Sequence, residues 1–200
     1  MQSNGPTALL VALAATLLIA GSATAQSYDH TGPYVRGGLA FGFTNLDGPA
    51  NALDTGTNVG FNLAGGFRVS PAVALEAELF YVTGGDVELA GAKLGETSVV
   101  GFTIDVKGYP MAVLAKKSLP DNLQPYARFG IGGGSGELEG SGIAAGIKGS
   151  EGAFLARFGG GVDYLMNEHW GVFIDGSYYA SNKDIVIGTG VISFGTIYRF

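Results

Sequence analysis

"FNLAGGFRVSPAVALEAELFYV", Phe61 to Val82, decides the fold. Its two halves flank Ser70-Pro71-Ala72, a short polar turn. Before the turn, Phe61, Leu63, Phe67 and Val69 share one face, continuing Val59 upstream. Asn62, Ala64, Gly66 and Arg68 fall on the other. After the turn, Val73, Leu75, Leu79 and Tyr81 stand opposite Glu76 and Glu78. A period of two marks strands with unlike faces, and the short turn makes the pair an antiparallel hairpin. One face is bulky and apolar. The other is small, with a few charges.

The same pattern recurs along the chain. Turn residues and alternation divide it into eight segments: 34–43, 58–69, 73–82, 98–109, 124–133, 152–164, 170–180 and 185–200. Most are about 10–13 residues long, what a tilted strand needs to cross a bilayer. Val35, Leu39, Phe41 and Phe43 carry the bulky face of the first, and Phe154, Phe158, Val162 and Tyr164 that of the sixth. In the last, Phe194, Tyr198 and Phe200 share a face opposite Ser193, Gly195 and Arg199, with Ile197 as an apolar exception on the latter. Tyr81, Tyr164, Trp170 and Tyr198, near strand ends, suit an aromatic girdle at a membrane interface.

Composition says which solvent the bulky face meets. Charged residues are 14% of the chain, against about 25% in soluble domains. Glycine supplies 35 of 200 residues. The uncharged run Ala8 to Gly21 precedes Ala23-Thr24-Ala25 and Gln26. It reads as a signal peptide, residues 1–25, cut between Ala25 and Gln26. The first seven residues lack Lys and Arg, which is unusual for such a signal. A permanent anchor is the competing reading, but the run falls short of the roughly 20 residues of a membrane helix. Residues 26–200 then form one domain. No second helix-length apolar run follows, and only helices and closed barrels satisfy all backbone polar groups in hydrocarbon.

A soluble lipocalin-like barrel also alternates, with its apolar face inward. Residue size argues against it, because eight strands enclose an interior barely wide enough for side chains. The bulky face therefore points outward, to lipid. The expected fold is all-β: an eight-stranded antiparallel up-and-down transmembrane β-barrel.

The segments "YVRGGLAFGF", "FNLAGGFRVSPAVALEAELFYV", "QPYARFGIGGG", "FGGGVDYLMNEHWGVFIDGSYY" and the final "YRF" resemble the small eight-stranded outer-membrane barrels, such as the transmembrane domain of outer-membrane protein A. The resemblance implies a bacterial outer-membrane protein, exported through the periplasm and surrounded by lipid and lipopolysaccharide. It also implies that Tyr198 and Phe200 form the aromatic-terminated signal read by the barrel assembly machinery. The connections 111–123 and 181–184 depart from the family plan of long outer loops and short periplasmic turns, one being long and the other short.

Chemistry of a catalytic kind is not indicated. No cysteine is present, which excludes disulfides and thiolate sites. His30 lies in the N-terminal tail and His169 in an expected periplasmic turn, neither beside a nucleophile. "GIGGGSGELEG", Gly130 to Gly140, fits no phosphate-loop spacing and reads as a strand end entering a flexible loop. No catalytic residue, metal site or cofactor is expected, and no nucleic-acid partner. The informative set is the inward charges: Arg36, Arg68, Lys107, Arg128, Arg157 and Arg199 with Glu76, Glu78, Asp105, Asp163 and Asp175. Near balance in a narrow, low-dielectric core favours pairing, Arg68 with Glu76 or Glu78 across the turn. The lumen is then plugged, in a structural or surface-interaction protein without enzymatic activity. The alternative is a porin-like channel for small solutes or hydrophobic compounds, for which an excess of one sign would be expected. The expected outer loops are acidic, and their excess equals the whole net charge of −6. Any surface ligand they serve is unidentified.

Overall fold

The computed structural model describes residues 31–46, 54–55, 58–89, 92–114, 120, 122–140, 148–182 and 186–200. The expected signal peptide, with Ala23, Ala25 and Gln26, lies outside the described residues, as do His30, Asp47, Lys183 and Asp184.

The strands are β1 (Gly32–Leu46), β2 (Asp54–Thr55), β3 (Asn58–Ser70), β4 (Val73–Leu89), β5 (Ala92–Gly108), β6 (Leu123–Gly140), β7 (Lys148–Leu165), β8 (Trp170–Ser181) and β9 (Val186–Arg199). A short helix, α1 (Pro110–Leu114), begins the long connection after β5. Every neighbouring pair is antiparallel. The first long strand pairs with the last, Tyr34 opposite Arg199, and β4 pairs with β5, so eight strands close into a barrel. The ninth strand, β2, is two residues long and continues the β3 ladder along β4.

Four strands run further than hydrophobic alternation indicates. β4 and β5 continue to Leu89 and Ala92, and β6 and β7 to Gly140 and Lys148. The stretch Gly130 to Gly140, read from sequence as entering a flexible loop, is strand throughout. It is laddered on one side to β5, as far as Gly140 opposite Gly95, and on the other to β7, as far as Glu139 opposite Lys148. Above the hydrocarbon no apolar face is required, so the sequence signal fades. Hydrogen bonds to neighbours on both sides still hold the glycine-rich backbone extended. The barrel thus has a short-turn end, near Gly32 and Arg199, and a long-hairpin end.

The two faces are inverted relative to a soluble protein. Leu63, Leu79 and Ile104 are 58–61% exposed on the outside, within a band that includes Phe61, Phe67, Phe102, Phe129 and Phe158. All eleven inward charges are buried, none more than 8% exposed. Such a band is stable only against lipid. Leu63→Arg should therefore cost about 2–4 kcal/mol. Ala64→Ser, one residue on and facing inward, should cost far less. Urea unfolding in lipid vesicles measures both, and equal effects would contradict this assignment of faces.

The interior is fuller of large groups than glycine and alanine alone suggest. Tyr34, Ala74, Tyr109, Tyr126, Phe173 and Ile197 cluster toward the short-turn end. Ala40, Phe80, Val82, Leu155, Tyr179 and Val191 cluster toward the long-hairpin end. Inward glycines make the room. A Cβ on Gly66 would overlap the Tyr34 ring, and one on Gly101 would stand 2.6 Å from Phe80. Ile197, the exception in the last segment, belongs to the lower cluster.

Candidate functional site: the charged lumen

Every long strand contributes inward charge. Arg36 comes from β1, Glu76 and Glu78 from β4, Asp105 and Lys107 from β5, and Arg128 from β6. Arg157 and Asp163 come from β7, Asp175 from β8, and Arg68 and Arg199 from the lower ends of β3 and β9. Their even spacing along each strand puts them on the inner face, and closure of the barrel brings them within reach of one another.

Three arginines interlock with four carboxylates at mid-height. Arg36 Nη2 is 3.2 Å from Glu78 Oε2, and its Nε 3.5 Å from Glu76 Oε1. Arg128 donates to Glu76 Oε1 and, at 3.1 Å, to Glu78 Oε2, with its Nε 3.6 Å from Asp175. Arg157 Nη1 lies 2.8 Å from Glu78 Oε1 and 3.2 Å from Asp105 Oδ2, and its Nη2 3.2 Å from Asp175 Oδ1. Lower down, Lys107 Nζ is 3.1 Å from Asp163 and 3.7 Å from Glu76. Such shared pairing is what a desolvated charge requires, since an isolated buried ion is costly.

Tyrosines complete the network, and the sequence reading did not assign them to it. The hydroxyls of Tyr34, Tyr126, Tyr109 and Tyr179 donate to Glu76 (2.8 Å), Asp175 (2.7 Å), Asp163 (2.9 Å) and Glu78 (3.1 Å). Lys107 Nζ also lies 3.8 Å from the Tyr126 ring centroid, a cation–π contact. The signal was present: Tyr34 and Tyr126 stand two residues before Arg36 and Arg128, and Tyr109 two after Lys107, on the charged face.

Arg68 departs from its expected pairing. Its guanidinium donates to Gln124 Oε1 at 2.6 Å and to the Pro71 carbonyl, and it stacks 4.1 Å from the Tyr109 ring centroid. Neither Glu76 nor Glu78 is its partner. In register Arg68 faces Ala74, while Glu76 stands opposite Gly66 and Glu78 opposite Ala64, higher in the barrel. Arg199 Nη2 reaches the same Gln124 oxygen at 3.3 Å. Tyr198 and Phe200 project from the last strand at the short-turn end, their rings edge to face at 5.2 Å, with Trp170 against Tyr198 at 4.8 Å. Among the described residues no cluster of His, Asp and Glu is arranged to hold a metal ion.

This inverted barrel has known counterparts. The family model for the outer membrane protein β-barrel domain matches residues 11–200. No curated protein sequence matches significantly. Among solved structures, Neisserial surface protein A superposes with a TM-score of 0.61 at 13% identity, over 84% of this chain and 97% of that one. The outer membrane protein OprG of Pseudomonas aeruginosa gives 0.59 at 18% identity, over 88% and 99%. Ail, the attachment invasion locus protein of Yersinia pestis, gives 0.56 at 19% identity, over 86% and 100%. At these identities the likeness is one of fold. The lipid-facing band, the closed ladder and the match over nearly the whole sequence lead to one conclusion: the chain belongs to the outer membrane protein β-barrel domain family and resides in the bacterial outer membrane.

Proposed function

We propose that the protein is a structural or surface-interaction barrel whose lumen is closed by its charge network, with no enzymatic activity. One observation carries the reading. Arg36, Lys107, Arg128 and Arg157 share all five lumen carboxylates between two apolar clusters, so side chains bonded to one another occupy the path through the barrel. Paired interior charge supports a plug, whereas a selective pore is lined by unpaired charge of one sign. Function then falls to the long-hairpin end. Its acidic residues suit divalent cations shared with lipopolysaccharide phosphates, or a partner carrying positive charge. Ail has been crystallised with the heparin analogue sucrose octasulfate. A polyanion of that kind would be repelled by the acidic segments of this chain.

Planar-bilayer recording of the refolded protein tests the plug. Little or no steady conductance is expected, and large steady conductance would favour the small-solute channel instead. Biogenesis belongs to the same reading: a signal peptide of residues 1–25, and a Tyr198–Phe200 motif offered to the barrel assembly machinery. N-terminal sequencing of protein from the outer-membrane fraction should begin at Gln26. Retention of residues 8–21 would refute the cleavage.

A further inference from the structure

The last strand poses a problem that alternation leaves open. Sliding β9 by two residues keeps every side chain on its own face, so hydrophobic patterning does not choose among such registers. Yet β9 forms the closing seam with β1 and the last hairpin with β8, and its register sets that of the barrel.

The turn between β7 and β8 supplies what the pattern lacks. Asn167 Oδ1 accepts from the backbone N–H groups of His169 (2.9 Å) and Trp170 (2.7 Å), and the Met166 N–H donates to the Trp170 carbonyl at 2.9 Å. His169 is thereby held against the end of β9. Its carbonyl accepts from the Arg199 N–H at 2.7 Å. Its ring Nδ1 lies 3.0 Å from the Arg199 carbonyl, so Nδ1 carries the proton and donates. The same ring stacks on Tyr198, with centroids 6.0 Å apart and planes 25° apart. On the closing seam the Phe200 N–H donates to Pro33 at 3.2 Å.

We infer that His169 is a register lock for the closing strand: its ring selects Tyr198 by stacking, while its N–H and carbonyl hold the main chain beside that ring. Moving β9 so that Leu39 faces Ile192 brings Thr196 beneath the imidazole and removes the stack, although the main chain of Ile197 can still take both bonds.

The chain has no cysteine, so pairs of introduced thiols report register cleanly. Leu39 and Phe194 are partners in the native ladder. With His169 intact, only L39C/F194C should cross-link in folded, heat-modifiable protein. H169A should also yield L39C/I192C. H169F keeps a ring and should stay at L39C/F194C. H169N keeps a donor without the ring and should yield L39C/I192C as H169A does. Should H169A fail to close at all, closure restored by H169F but not by H169N supports the lock. Equal failure of all three overturns it, as does H169A cross-linking only at L39C/F194C, or L39C/I192C appearing in H169F as readily as in H169A.

Discussion

Arg128→Ala should be the most damaging single change in the lumen, costing about 3–5 kcal/mol, the range for removing one partner of a buried ion pair. Arg128 touches three carboxylates: Glu76, Glu78 and Asp175. Arg36 and Lys107 remain beside Glu76, and Arg36 and Arg157 beside Glu78 and Asp175. Three cations would then face five carboxylates in a space from which water is excluded. Water or small cations entering to offset the surplus would raise conductance in bilayer recordings. Arg68→Ala is the control. Its partners are the neutral oxygens of Gln124 and Pro71, so the loss should be nearer 1.5–3 kcal/mol, roughly that of a hydrogen bond from a charged group. Urea unfolding in vesicles ranks the two. If Arg68→Ala proved as costly as Arg128→Ala, the mid-height network would not be the main source of lumen stability.

Gly66→Val should be nearly as severe, although it adds only apolar atoms. Gly66 stands opposite Tyr34 on the neighbouring strand, and the Tyr34 ring occupies the space a Cβ would take. Displacing that ring also breaks its 2.8 Å bond to Glu76. Overpacking typically costs about 1–3 kcal/mol and a hydrogen bond to a charged group about 1.5–3, for a sum of about 2.5–6 kcal/mol. A double-mutant cycle separates this from a general strand effect. In a Tyr34→Ala background the Gly66→Val cost should fall sharply. An undiminished cost would show that Gly66 matters for its backbone and not for the ring above it.

The two residues illustrate how much could be read in advance. Alternation placed Arg128 on the inner face and Leu63 on the outer, because a strand sends successive side chains to opposite sides whatever surrounds it. With the low charge content and the missing membrane helix, that settled an all-β transmembrane barrel. What alternation cannot carry is height along the barrel axis. Arg68 is close to Glu76 in sequence and shares its face, but the hairpin register sets it opposite Ala74, at the level of Gln124. Nor does it show which tyrosine meets which carboxylate. Tyr34 and Glu76 come from strands separated by β3, and Tyr179 and Glu78 from opposite parts of the wall.

Strand length was legible only inside the hydrocarbon. There the demand for a lipid-compatible face writes itself into the sequence, and beyond Val82 and Gly133 that demand ends. The extended hairpins are held by backbone hydrogen bonds, which any residue but proline can make, so "GGGSGELEG" carries no mark of being strand. His169 was read as an ordinary turn residue for a related reason, since its partner Arg199 lies 30 positions away. Which residues face lipid and which face the lumen was determined by the order of residues along each strand. Who touches whom across the lumen was decided by closure, because only a closed ladder fixes the relative heights of eight strands at once.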